Sequence, residues 1–197
     1  MKRITIVALL AIIASSSGIA SAAESVSIAL TMPPGTAAEA CKIPAWKGLT
    51  VAWGGVTDKR PSPEVGLQTQ KGKEAIPVLA EPALTSAFDS ALRTLFSACG
   101  MKFASKETEG AVQLSAEIRE FYVGVKKGLL TGKSEAKSGI AFVSRHGNQS
   151  ATVVVGSEME SKKIRSGNIK QITSTLNDLF ADTLKQIPAT QEMRELK

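Results

Sequence analysis

Three observations predict an α+β domain: a mostly antiparallel sheet with two helices packed on one face. An apolar stripe at three- and four-residue spacing runs from Leu84 to Phe96. Three stretches between Val112 and Met159 alternate with period two and are separated by short glycine-bearing breaks. A second helical stripe closes the chain between Ile169 and Ile187. Strands and helices segregated in this way build one covered sheet rather than βαβ units.

The chain has 197 residues, 43% of them hydrophobic and 21% charged. That excludes a disordered or low-complexity chain, which could not bury enough apolar surface to offset its ordering entropy. One domain is the expectation for this length. Aromatics are only 5%, so an aliphatic core is expected.

The first 22 residues read as a cleaved signal peptide. Met1-Lys2-Arg3 is basic, Ile4 to Ala14 is apolar except for Thr5, and Ala20-Ser21-Ala22 is a small-x-small cleavage pattern. The apolar run is about half of the ~20 residues needed to span a bilayer. No later stretch is long and apolar enough, so no transmembrane helix is expected in the mature chain. Serines and alanines stand where a lipid-bearing cysteine would, and the first cysteine is Cys41. A periplasmic protein is expected, with outer-membrane association left open.

Residues 23–48 read as an N-terminal arm. Ser25 to Leu30 alternates like an edge strand, and Pro33-Pro34-Gly35 and Pro44 interrupt it. A single α+β domain is expected over 49–188. It opens with a strand at Leu49 to Trp53, closed by Gly54-Gly55. A long loop with four prolines follows over 57–82, and loops of that length are uncommon and usually functional or disordered.

The spacing then predicts a helix over 83–99, with Pro82 near its first turn and Gly100 as its stop. Met101 to Phe103 is a short strand. Val112, Leu114, Ala116 and Ile118 share one face of the next strand, and Phe121, Val123 and Val125 take over after Glu120. That phase break predicts a bulge. Turns at 128–132 and at Gly147-Asn148 complete a three-strand meander. Ser166 or Asn168 can cap the last helix, and Pro188 is expected to end it. Residues 189–197 are expected to form a flexible C-terminal tail.

The formal charge of +6 includes Lys2 and Arg3 of the leader, and the other basic groups are scattered. A nucleic-acid binder needs a clustered basic face, so nucleic acid is not an expected partner. Catalytic equipment is equally sparse. His146 is the only histidine and sits beside a turn. A zinc site from Cys41, Cys99 and His146 would lack a fourth ligand, so no metal is expected. Gly128 to Ser134 has its glycines too close for a phosphate loop. No cofactor is expected.

Glu117 and Glu120 are the carboxylates an envelope hydrolase would have to use, yet strand carboxylates more commonly face solvent. In an oxidising compartment Cys41 and Cys99 are expected to form a disulfide. It would close a loop of about 58 residues and stabilise by about 4 kcal/mol in the ideal case. Asp58 and Arg60, just after the first strong strand, are the candidate ligand- or partner-binding residues. The structural alternative is a turn in which the Asp58 carboxylate accepts backbone N–H bonds and pairs with Arg60.

A strand, then Asp58-x-Arg60, then Val65-Gly66, then a leucine-rich helix ending in Cys99-Gly100, resembles the YajG-like family of bacterial envelope lipoproteins. Leu176 to Leu184 is similar to that family's C-terminal helix. The resemblance implies an α+β envelope domain of unassigned biochemical role and brings no catalytic residues. The small α+β domain of lipoprotein activators of cell-wall synthases, which act by binding a partner, is a related comparison. The expected function is therefore non-enzymatic: periplasmic or envelope binding or assembly, with an envelope protein or glycan as partner. An envelope hydrolase and a purely structural envelope protein are the alternatives.

Overall fold

The computed structural model describes residues 25–41, 46–68, 74–105, 108–126, 133–161 and 169–195. The expected signal peptide, the turn at 128–132 and the candidate caps Ser166 and Asn168 lie outside the described residues. The elements are β1 (Val26–Ile28), α1 (Thr36–Ala40), β2 (Thr50–Asp58), β3 (Gly66–Gln68), β4 (Ile76–Ala80) and α2 (Leu84–Ala98). They continue with β5 (Lys102–Ala104), β6 (Val112–Lys126), β7 (Lys133–His146), β8 (Gln149–Ser161), α3 (Ile169–Ala189) and α4 (Gln191–Arg194).

The eight strands form one mixed sheet. Its long ladders, β6 with β7 and β7 with β8, are antiparallel, as is the short β3–β4 pair. The expectation of a mostly antiparallel sheet needs correction at the other pairs. β2 runs parallel to both β5 and β6, β1 runs parallel to β4, and β3 meets β6 in parallel. Helix α2 carries the chain from β4 round to β5, which lets short strands join in parallel.

The long elements follow their periodicity. Helix α2 buries Leu84, Ala87, Phe88, Ala91, Leu92, Leu95 and Phe96. Strand β6 shifts register between Ile118 and Glu120, so Ile118 and Phe121 both face inward on either side of a bulge. Helix α3 buries Ile172, Leu176, Leu179, Phe180, Thr183 and Ile187.

The short elements differ from expectation. β2 is not closed by Gly54-Gly55 but continues to Asp58 through a second bulge between Trp53 and Val56. Gly55 has φ +88°, a conformation that side-chain-bearing residues rarely adopt, and it absorbs that irregularity. The expected loop over 57–82 contains β3 and β4. Four helices form among the described residues where two were expected. Pro188 lies inside α3 rather than ending it, one residue before the last, so the one bond its missing N–H forgoes is that to the Leu184 carbonyl oxygen.

The arm and tail are built into the fold. β1 extends the sheet along β4. The expected flexible tail carries α4, whose Met193 is fully buried. The Trp46 indole N–H donates to the Met193 carbonyl oxygen at 2.6 Å.

The few aromatics concentrate in the core. Phe88 of α2 and Phe180 of α3 both meet the ring of Phe121, at 5.4 and 6.4 Å between centroids, and each other at 4.7 Å. Phe96 gathers Trp46, Trp53 and Phe142 edge to face. Such pairs add roughly 0.5–1.5 kcal/mol each beyond their burial.

Candidate functional site

Asp58 ends β2 and Arg60 follows it by two residues. The backbone N–H of Arg60 donates to Asp58 Oδ1 at 3.0 Å, the local turn that aspartate favours. The Arg60 side chain is only 5% exposed. Its Nε donates to Asp58 Oδ1 at 3.0 Å and its Nη2 to Asp58 Oδ2 at 2.7 Å. Nη1 donates to the carbonyl oxygens of Glu64 at 2.9 Å and Phe121 at 3.1 Å, and Nη2 also donates to that of Pro63 at 3.2 Å. A guanidinium has five N–H donors, and these acceptors occupy them all. Arg60 therefore has none left for a ligand. It pins the 61–65 turn to β2 and to the bulged strand β6.

Burial raises the Asp58 carboxyl, but the Arg60 hydrogen bonds and charge outweigh it and hold the group below its ordinary value. Asp58 and Arg60 form an ion pair at 2.7 Å. Of the two readings, the geometry supports the structural one.

The turn that Arg60 fixes is the rim of an open depression of about 490 Å³ on the side of β6–β8 facing away from the Phe121 cluster. Arg119, Glu120 and Tyr122 of β6, Gly139 of β7 and Val154 of β8 line it with Pro61, Ser62 and Glu64 of the turn. Its shape comes from glycine. Gly139 lies opposite Glu120 on one side and Gly156 on the other. The row between Tyr122 and Val154 thus lacks side chains on β7 and β8. A Cβ on Gly156 would stand 2.7 Å from the Ser138 carbonyl oxygen, closer than packing allows.

Tyr122 also lines a neighbouring hollow of about 230 Å³ with Glu120, Gly124, Glu135 and Lys137. Burial, then the Glu64 charge, raises the Tyr122 phenol above its ordinary value. Val154 is the one large hydrophobic residue exposed among the described residues, at 56%. The sequence reading passed over Tyr122, Gly139 and Val154. The turn at Gly147-Asn148 was the usable signal: it pairs His146 with Gln149, and counting back sets Gly139 against Gly156.

The remaining candidates do not converge. Glu117 pairs with Arg119 at 3.3 Å, and Glu120 is exposed beyond the bulge. His146 is exposed at the end of β7. Among the described residues no group of histidine, cysteine, aspartate and glutamate could hold a metal ion. Cys41 and Cys99 are joined as a disulfide, with Cα atoms 4.9 Å apart. They join the end of α1 to the end of α2. No helix among the described residues is long and apolar enough to cross a membrane.

The protein XCC0632 of Xanthomonas campestris is similar in structure, with a TM-score of 0.50 at 12% identity over 83% of this chain and 93% of that one. The hypothetical protein CT253 of Chlamydia trachomatis matches at a TM-score of 0.39 and 12% identity, over 72% of this chain and 96% of that one. The lipoprotein GNA1162 of Neisseria meningitidis matches at 0.35 and 9% identity, over 72% and 99%. No curated relative matches the sequence. A family model described as uncharacterized lipoprotein matches residues 54–196.

Proposed function

The chain belongs to that family of uncharacterized lipoproteins, and on that footing we propose that it is a non-enzymatic binding or assembly protein of the cell envelope. In this reading it is YajG-like, is exported by a cleaved signal peptide over residues 1–22, and works in the periplasm. The observation that carries the binding role is the depression between Tyr122 and Val154, whose rim is held rigid by a saturated Arg60.

The chemistry of the depression favours a polypeptide partner. Tyr122 and Val154 supply an apolar wall, and Glu64 and Glu120 supply carboxylates at the rim. A glycan would call for convergent hydrogen-bond donors; those of Arg60 are consumed internally, and Arg119 is paired with Glu117. Apolar surface with a few polar groups at its border is the usual composition of a protein-binding patch.

A photo-crosslinking amino acid at Ser62 tests the reading in cells, with one at Arg93, on the outward side of α2, as control. The expected result is a discrete adduct with another envelope protein from position 62 alone. Equal adducts from both positions, or a glycan adduct, would overturn it. So would cleavage of an envelope substrate that Glu117→Gln abolishes.

A further inference from the structure

The sheet ends in three edges, and they are unequal. β1 and β5 are edge strands of three residues each. β8 is an edge strand of 13 residues, and among the described residues no strand pairs along its far side. Natural sheets blunt long edges with lysine, proline or a bulge. From Gln149 to Ser157 this edge has neither charge nor proline, and its ladder with β7 runs without a register shift. A strand of this kind is built to be paired.

We propose that β8 pairs with β8 of a second copy of this chain, antiparallel about a two-fold axis at Val154, making one continuous sheet across the dimer. Charge complementarity selects a second copy. In this register Val154 faces its own symmetry mate, Thr152 faces Gly156, and Ser150 faces Glu158. Arg145 is the β7 neighbour of Ser150, is exposed, and has no ion-pair partner among the described residues. It would lie in the same row as Glu158 of the other copy, with only a serine between them. Glu158 is 74% exposed, and Lys137 reaches one of its oxygens at 3.2 Å. The two-fold repeats the Arg145–Glu158 contact at the other end, as an isologous interface requires. It also covers Val154, the exposed hydrophobic, with its own copy.

Disulfide trapping of the full mature chain tests this independently of any envelope partner. Paired residues of an antiparallel ladder have Cα atoms about 4.5–5.5 Å apart, within bridging range. Val154→Cys should therefore crosslink to itself on mild oxidation. Thr152→Cys should not, because its symmetry copy lies four residues along the strand, about 13 Å away. In sedimentation, Arg145→Glu or Glu158→Arg alone should weaken the dimer about tenfold or more, and the double exchange should restore it. A chain monomeric at about 100 μM would overturn the proposal. So would equal crosslinking at 152 and 154, or a double exchange no tighter than either single change.

Discussion

Ser138 on β7 and Thr183 on α3 share a hydrogen bond of 2.6 Å between their hydroxyls, and both side chains are buried. Thr183 donates to the Leu179 carbonyl oxygen at 2.6 Å, which leaves Ser138 as donor between the two hydroxyls. Ser138 Oγ also accepts the Ser157 N–H at 3.1 Å. Asp182 takes the Ser157 hydroxyl one residue away on α3. The network is closed, with every member satisfied, where the absence of a Cβ at Gly156 lets two backbones approach.

Thr183→Val keeps the shape and removes the acceptor. Ser138 then has only the Ser157 carbonyl oxygen at 3.5 Å to turn to. A loss of about 1–3 kcal/mol is expected. Ser138→Ala combined with Thr183→Val should cost clearly less than the two single losses added, because both remove the same bond. Urea denaturation of the four proteins checks this, and strict additivity would contradict a shared bond.

Arg60→Lys should destabilise nearly as much as Arg60→Ala, since one ammonium cannot reach a carboxylate and three carbonyl oxygens in a fork. Leaving the part-buried carbonyls of Glu64 and Phe121 unpaired costs about 1–3 kcal/mol each at most, and that of Pro63, which is exposed, less. Acid exposes the same link. The Asp58 carboxyl lies below its unfolded value, so its contribution is complete above the unfolded value and disappears as pH falls through the folded one. Asp58→Asn should therefore lower stability at neutral pH and flatten its fall below about pH 4. Thermal melts from pH 2 to 7 read this directly. An unchanged acid limb would show that the pair does not couple to folding.

Reduction of the Cys41–Cys99 pair should loosen β1 and α1 more than the meander. The bond spans 58 residues, and a closed loop of that size corresponds to a stabilisation of about 4 kcal/mol at most. Other ties remain. Thr31 N–H donates to Asn177 Oδ1 at 2.9 Å, and Lys185 pairs with Glu39 at 2.8 Å. Hydrogen exchange should thus rise over 25–41 on adding reductant while β6 and β7 stay protected. Two thiols that alkylate freely in the undenatured, unreduced protein would refute the bond itself.

Legibility in the sequence tracked length. Helices α2 and α3 and the β6–β8 meander repeat their pattern over several periods, and even the slip at Glu120 showed as a change of phase. Strands β3 and β4 hold three and five residues, too few to display a period. Pairing with each other and with β6 and β1 is what makes them strands. The same holds for α4: Met193 looks like an isolated apolar residue in a polar tail until Trp46 is set beside it. At the site, Asp58 and Arg60 stood out because their chemistry is local. The depression did not, because it is made by residues that are absent, side chains missing from Gly139 and Gly156 on neighbouring strands.

The bond from Trp46 to Met193 joins residues 147 positions apart. Synthesis delivers Trp46 long before Met193. Until residue 193 has emerged, Trp46 lacks the carbonyl oxygen it donates to, and the core lacks the side chain that Met193 buries there. A chain stalled short of residue 193 would therefore carry all the described strands and still display an unfinished core. Closing the fold therefore waits on a residue that follows every described strand.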